Sequence, residues 1–258
     1  MKILLTNDDG IYAPGIYAMA EEIAAIKGLE PIVVAPDREQ SATGHAITVH
    51  KPLRVNHVKK LGEKLKVPFY SVNGTPSDCV KLAVEAIMDE HPDLVISGIN
   101  RGANLGTDVL YSGTVSGAME AAILGMSAIA VSLVDFDYED YSTAASYTAN
   151  ITQKVLSNTE ELPEGTLLNV NVPSVPKEEI SGIKTTRLGF RQYENVFEKR
   201  LDPRGKAYYW MAGKVIEDTT DSETDVASVK DNYVSLTPIK YDLTDYQLYN
   251  KLNEWNFK

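Results

Sequence analysis

The sequence predicts an α/β fold built on a mainly parallel sheet, and three observations carry that expectation. The chain opens on Ile3-Leu4-Leu5, an apolar run without polar alternation, as expected of a strand covered on both faces. That run, a helical pattern from Pro14 and the β-branched run Pro31-Ile32-Val33-Val34-Ala35-Pro36 make one strand–helix–strand unit of about thirty residues. Asp93-Leu94-Val95-Ile96-Ser97-Gly98 and Ser127 to Leu133 then supply further buried strands.

Taken in order, Thr6-Asn7-Asp8-Asp9-Gly10 ends the first strand by delivering two adjacent carboxylates into a turn. Neighbours on a strand point to opposite faces, so both can face one ligand only where the strand has ended. Pro14-Gly15 opens a helix with Ile16, Met19, Ala20, Ile23 and Ala24 on one face, and Gly28 suits its end. The polar loop Asp37 to His45 follows the second strand and offers the Ser41 hydroxyl, Arg38 and His45. Leu53–Val58 and Leu65–Val72 alternate roughly around Gly62 and suggest a hairpin. Thr75 caps a helix whose first position is Pro76, with Cys79, Leu82, Ala83 and Ala86 at helical spacing. On such a face Cys79 reads as a core residue, not a nucleophile.

The strand from Asp93 runs into Ile99-Asn100-Arg101-Gly102-Ala103-Asn104, which offers amide groups to a cation or an anion. Ser112-Gly113-Thr114 opens the next helix, through Val115, Ala118, Met119 and Ala122. Its first N–H groups form an anion site unless Ser112 or Thr114 simply caps it. Asp135–Asp140 reads as an exposed acidic loop, followed by a helix near Thr143–Leu156 and strands at Leu167–Val172 and Gly182–Leu188. Residues 190–216 mix aromatics with charges around Asp202-Pro203-Arg204-Gly205, the pattern of a long hairpin arm. An isolated two-stranded arm cannot bury its apolar face alone, so it is expected to pack on another subunit. Asp218–Asp225 reads as a mobile acidic segment, Tyr233–Ile239 as a strand and Thr244–Trp255 as a terminal amphipathic helix.

The totals narrow the function classes. With 36 acidic against 25 basic residues and a formal charge of −11, the chain is unsuited to gripping polymeric nucleic acid through its phosphates. No apolar run of about 18 residues predicts a membrane span. With one cysteine, intrachain disulfides are excluded. The expectation is a cytoplasmic protein of 258 residues, one large α/β domain with an appendage.

Three strand ends thus deliver polar loops at Asn7–Gly10, Ser41–His45 and Asn100–Asp108. In a parallel sheet they lie along one edge. Two carboxylates, a hydroxyl, an Asn amide and a helix N-terminus suit a hard divalent cation beside an anion pocket, and so metal-assisted hydrolysis of a phosphate ester.

These residues also carry a family resemblance. NDDG at 7–10 with APG at 13–15, VAPDREQSATGHAIT at 34–48, NGTPSDCV at 73–80, SGINRGANLGTDVLYSGTVSGAMEAA at 97–122, LNVNVP at 168–173 and YVSLTPI at 233–239 resemble, in the same order, the landmarks of the SurE (survival protein E) family. The resemblance implies a Rossmann-like three-layer fold and a metal-dependent 5′-nucleotidase, often also active on 3′-nucleotides. It implies metal ligands at Asp8, Asp9, Ser41 and Asn100. It also implies a homodimer or homotetramer that exchanges the hairpin arm and the C-terminal segment, here residues 190–216 and 240–258. Many family members have glycine where this chain has Ala42.

The expected cation is Mg²⁺ or Mn²⁺, because all four ligands are oxygens. Asn100, Asn104 and the Ser112, Gly113 and Thr114 amides are expected to hold the phosphoryl group. Asp8 and Asp9 are the expected catalytic residues, either by activation of water or by direct carboxylate attack. Two other readings remain open at this stage. A haloacid-dehalogenase-like phosphatase would have its two aspartates separated by one residue, and here they are adjacent. A non-catalytic nucleotide-binding module is the other; a dinucleotide-binding form of it would have a G-x-G-x-x-G turn after the first strand.

Overall fold

The computed structural model describes residues 1–158, 162–194 and 197–255. The N-terminal run forms β1 (Lys2–Thr6), followed by α1 (Pro14–Ala25) and β2 (Glu30–Pro36). An antiparallel pair follows, β3 (Val55–His57) and β4 (Phe69–Val72), with the short helix α2 (Lys59–Gly62) between them. The hairpin expected around Gly62 is therefore present with shorter strands. Gly62 lies inside the turn helix, where a Cβ would fall 1.8 Å from the Val67 carbonyl oxygen.

α3 (Pro76–Leu82) starts as its sequence predicts. Thr75 accepts from the Asp78 N–H at 3.1 Å, and Asp78 Oδ2 accepts from the Thr75 N–H at 2.9 Å. This reciprocal cap contributes about 1 kcal/mol. A π-helical turn over Ala83–Ile87 ends the segment. β5 (Leu94–Arg101), α4 (Gly113–Ile123), β6 (Ala128–Leu133), α5 (Ser142–Leu156) and β7 (Thr166–Val172) complete the alternation.

These strands and two later ones, β8 (Gly182–Thr185) and β13 (Tyr233–Lys240), make a nine-stranded sheet in the order β3-β4-β2-β1-β5-β6-β7-β13-β8. It is mostly parallel, with antiparallel pairing only at β3–β4 and β13–β7 among the described residues. Side chains alternate across it as strand geometry requires. Ile3 and Leu5 join the core under α1 and α5, whereas Leu4 joins the opposite core under α3 and α4. Helices thus cover both faces, the three-layer α/β arrangement expected from the apolar runs. Cys79 is fully buried in the second core, and burial pushes its thiol well above the ordinary range, so it is a packing residue. No helix of the described residues is long and apolar enough to cross a membrane.

The chain leaves the sheet after β8. β9 (Arg191–Glu194) pairs with β12 (Lys214–Glu217), and β10 (Phe197–Leu201) with β11 (Ala207–Met211), both antiparallel. The arm expected over 190–216 is this long ribbon, apart from residues 195–196, which lie outside the described residues. Every residue of β10 and β11 is exposed. The segment expected to be mobile at Asp218–Asp225 ends differently. Asp225 is fully buried and begins α6 (Asp225–Lys230), a helix the polar composition hid. Its carboxylate accepts from the N–H groups of Gly106 at 2.8 Å, Gly189 at 2.7 Å and Val226 at 2.9 Å. α7 (Tyr246–Leu252) closes the chain, shorter than the Thr244–Trp255 helix expected; the last three residues of the 240–258 segment lie outside the described residues.

Candidate functional site

The sheet order changes direction at β1. The chain first builds outwards through β2 and β4, then returns to the other side of β1 with β5 and β6. A crevice opens at the carboxyl ends of the two strands flanking such a switch point. Asp8 and Asp9 follow β1, and Asn100 lies at the end of β5.

The turn after β1 is closed by Asn7. Its Nδ2 donates to the Gly10 carbonyl at 2.9 Å and its Oδ1 accepts from the Gly10 N–H at 3.2 Å. Gly10 adopts φ +97°, and a Cβ there would press on the Arg38 backbone at 3.0 Å. A side chain is therefore excluded for both reasons.

Asp8 is 3% exposed. The start of α4 holds it: Thr114 donates its hydroxyl to Asp8 Oδ1 and its N–H to Oδ2 at 3.1 Å. Ser112 caps the helix by accepting from the Val115 N–H at 3.0 Å. The Thr114 amide is thus committed to Asp8. Among the described residues the Ser112 and Gly113 N–H groups have no hydrogen-bond partner. Asp9 Oδ2 accepts from the Arg101 N–H at 3.0 Å, which fastens the β1 turn to the end of β5. The Gln40 N–H donates to the Asp8 carbonyl at 2.7 Å, which fastens the Ser41 loop to the same turn.

The pairing of β5 with β6 shifts register between Ser97 and Asn100. Gly98 sits there at φ +148°, where a Cβ would lie 2.4 Å from the Val131 carbonyl oxygen. Asn100 Nδ2 donates to the Gly102 carbonyl at 2.8 Å, which fixes Oδ1 as the free acceptor side of the amide. Asn104 lies deeper. Its Nδ2 donates to Ser132 Oγ at 2.8 Å, and its carbonyl accepts from Asn169 at 2.8 Å and Asn171 at 3.1 Å. Ser41 is exposed, and its hydroxyl donates to Glu39 Oε1 at 2.7 Å.

The electrostatics centre on the two carboxylates. Burial raises the Asp8 pKa, with Glu39 adding to the rise. Burial pushes Asp9 up to about 7, and the neighbouring Asp8 charge pushes in the same direction. Among the described residues neither carboxylate has an ion-pair partner. A buried, uncompensated acidic pair is stable only with a proton or a cation. No cluster of three His, Cys, Asp or Glu is arranged to hold a metal among the described residues. A cation at Asp8 and Asp9 would therefore complete its shell with neutral oxygens, such as Asn100 Oδ1, Ser41 Oγ and water. Such an all-oxygen set with few charges fits a hard divalent cation.

Sequence reasoning missed Glu39, and it named Thr114 and His45 without the partners the structure gives them. Glu39 adds its charge to the rise at both carboxylates and accepts from Ser41 Oγ. Thr114 is an aiming group for Asp8, and only the fold brings the two together. His45 does not stand free in its loop; its Nε2 lies 2.7 Å from Glu120 Oε2, a 5% exposed residue of α4. Ala42 adopts φ +56°, a conformation that favours glycine.

The fold and site define an α/β protein with a carboxylate site at the switch point of its sheet. Comparison with known proteins narrows this. The family model "Survival protein SurE" matches residues 3–195. A protein of Natranaerobius thermophilus named 5′-nucleotidase SurE is 79% identical over 257 residues, covering 100% of this chain and 99% of that protein. A second protein of that name, from Carboxydothermus hydrogenoformans, is 53% identical over 99% of this chain and 96% of its own length. The crystal structure of the SurE protein from Aquifex aeolicus superposes with a TM-score of 0.84 at 41% identity, covering 98% of this chain and 99% of that one. The chain belongs to the SurE family.

Proposed function

We propose that this chain is a divalent-metal-dependent phosphatase that hydrolyses nucleoside monophosphates to nucleoside and phosphate, a 5′-nucleotidase that also accepts 3′-nucleotides. The observation that carries the reading is the buried carboxylate pair without a counter-charge, set against the start of α4 at the sheet's switch point. The names of the relatives at 79% and 53% identity support it.

Asp8, Asp9, Ser41 and Asn100 would hold the cation. When bound, it would neutralise phosphate charge and orient the phosphoryl group for in-line attack. Asp8 is aimed by Thr114, so it suits a general base that takes the proton of the attacking water. The Ser112 and Gly113 amides would bind phosphoryl oxygens as they gain charge, and the Asn100 side chain would orient the same group. Asn104 supports the loop from behind; a direct phosphate contact would require its Nδ2 to leave Ser132.

The whole of 1–258 is read as one domain, cytoplasmic, with 190–216 as an arm and 240–258 as a C-terminal segment. Tyr209 and Trp210 are each 60% exposed and Met211 is 75% exposed. Exposed apolar side chains on both faces of a bare two-stranded ribbon call for a second copy of the chain. Sedimentation should show a dimer or tetramer, and Trp210→Glu should shift it towards smaller species. A monomeric wild type would sink the assembly reading.

The test of function is phosphate release from a panel of nucleoside monophosphates with Mg²⁺, with Mn²⁺ and with chelator. Release should require the cation. Because Asp9 keeps its proton up to about 7, protons compete with the metal below that pH. The Mn²⁺ concentration for half-maximal rate should therefore rise as pH falls from about 8 to about 6. Equal rates in chelator, or no release from folded protein, would overturn the reading.

A further inference from the structure

Phe136 is 59% exposed in the acidic loop after β6, at the same edge of the sheet as Asp9 and Asn100. An aromatic side chain in an exposed loop usually moves with it, but here the ring is held. Arg101 Nε donates to the Phe136 carbonyl at 2.6 Å, and its guanidinium carbon lies 4.3 Å from the ring centroid. Gly102 passes under the ring edge, where a Cβ would be 3.8 Å from Phe136 Cδ2. The loop itself is tied down, as the Asp135 N–H donates to Ser174 Oγ at 2.8 Å and the Asp137 N–H to Asp135 Oδ1 at 2.9 Å.

Arg101 also touches the site. It follows Asn100 directly, and its N–H donates to Asp9 Oδ2 at 3.0 Å. The ring is thus connected to the carboxylate pair through a single residue. Four carboxylates border the ring in sequence, at Asp135, Asp137, Glu139 and Asp140, yet among the described residues Arg101 forms no ion pair with any of them. Its guanidinium is turned to the ring and the loop carbonyl instead. The acidic surroundings repel a phosphate dianion, so a substrate spanning both regions would put its phosphate at the cation that Asp8 and Asp9 would hold and its uncharged end at Phe136.

We infer that the Arg101–Phe136 pair is the base-binding platform of this site, on which the nucleobase of a nucleoside monophosphate stacks. The inference rests on the nucleotidase reading and deepens it. Stacking on a π-face tolerates every base and strengthens with ring area, so purine monophosphates should be preferred to pyrimidine ones.

The test compares AMP with ribose 5-phosphate, which carries the same phosphoryl ester and no base, in wild type, Phe136→Ala and Phe136→Trp. For Phe136→Ala the KM for AMP should rise roughly tenfold with kcat nearly kept, while kcat/KM for ribose 5-phosphate stays within about twofold because that substrate lacks the stacking contact. Phe136→Trp should restore the AMP value. An unchanged KM for AMP, or an equal loss on both substrates, would overturn the platform while leaving the phosphatase reading in place. A wild type that releases phosphate from neither substrate would overturn the nucleotidase reading and the platform with it.

Discussion

Asp8→Asn should lower kcat by roughly 10²- to 10³-fold, the scale on which loss of one preorganised electrostatic group acts, in a protein that remains folded. The substitution keeps the shape of the side chain and removes its charge. Asp8 is 3% exposed and accepts both from the Thr114 N–H and from its hydroxyl. Asn keeps one acceptor for the N–H, and the hydroxyl can rotate to accept from the new amide. The Asp8 charge that helps push the Asp9 pKa up is gone, which relieves the metal-free site. Thermal unfolding and phosphate release measured on the same preparation separate the two effects. A turnover near that of wild type at saturating Mn²⁺ would remove Asp8 from the catalytic set.

Gly113→Ala should be nearly as damaging to activity, by a route that leaves local structure intact. A Cβ at Gly113 would stand 2.8 Å from both Cβ and Oδ2 of Asp8. Such separations force a shift, and the Asp8 carboxylate is the group that gives way. Alanine is the better helix former by up to about 1 kcal/mol, so α4 itself loses nothing. Misplacing a reacting group by about 1 Å is worth about 10²-fold in rate, and a loss of that size in kcat/KM is expected with a melting temperature within a few degrees of wild type. Full activity in this variant would show that Asp8 needs no fixed position, contrary to the role assigned to Thr114.

Much of the site's placement was legible because it depends on local signals. Ile3-Leu4-Leu5 followed by Asn7-Asp8-Asp9-Gly10 announces a buried strand and the turn that ends it, and Thr75-Pro76 announces a helix start that the structure reproduces with both capping bonds. What stayed hidden depends on partners far along the chain. Asp225 sits in an acidic stretch and read as part of a mobile segment, yet it is fully buried because Gly106 and Gly189 bring their N–H groups to it. Thr114 read as an anion-binding amide; that it serves Asp8 follows only from the docking of α4 beside β1. The strands flanking Gly62 are shorter than the alternation suggested because a turn of helix occupies their middle.

The bond between Thr114 and Asp8 spans 106 residues, and that separation has a kinetic meaning. Of the proposed ligand set, only Asp8 and Asp9 are adjacent in the unfolded chain, since Ser41, Asn100 and the start of α4 arrive with the docking of their strands and helix. Closing so long a loop is slow and entropically unfavourable until the sheet's centre has formed. A cation bound by the complete set would therefore recognise the native state alone and stabilise it by mass action. Metal supply would then act as a chaperone-like input to this chain, holding its central strands together by binding what only their assembly creates.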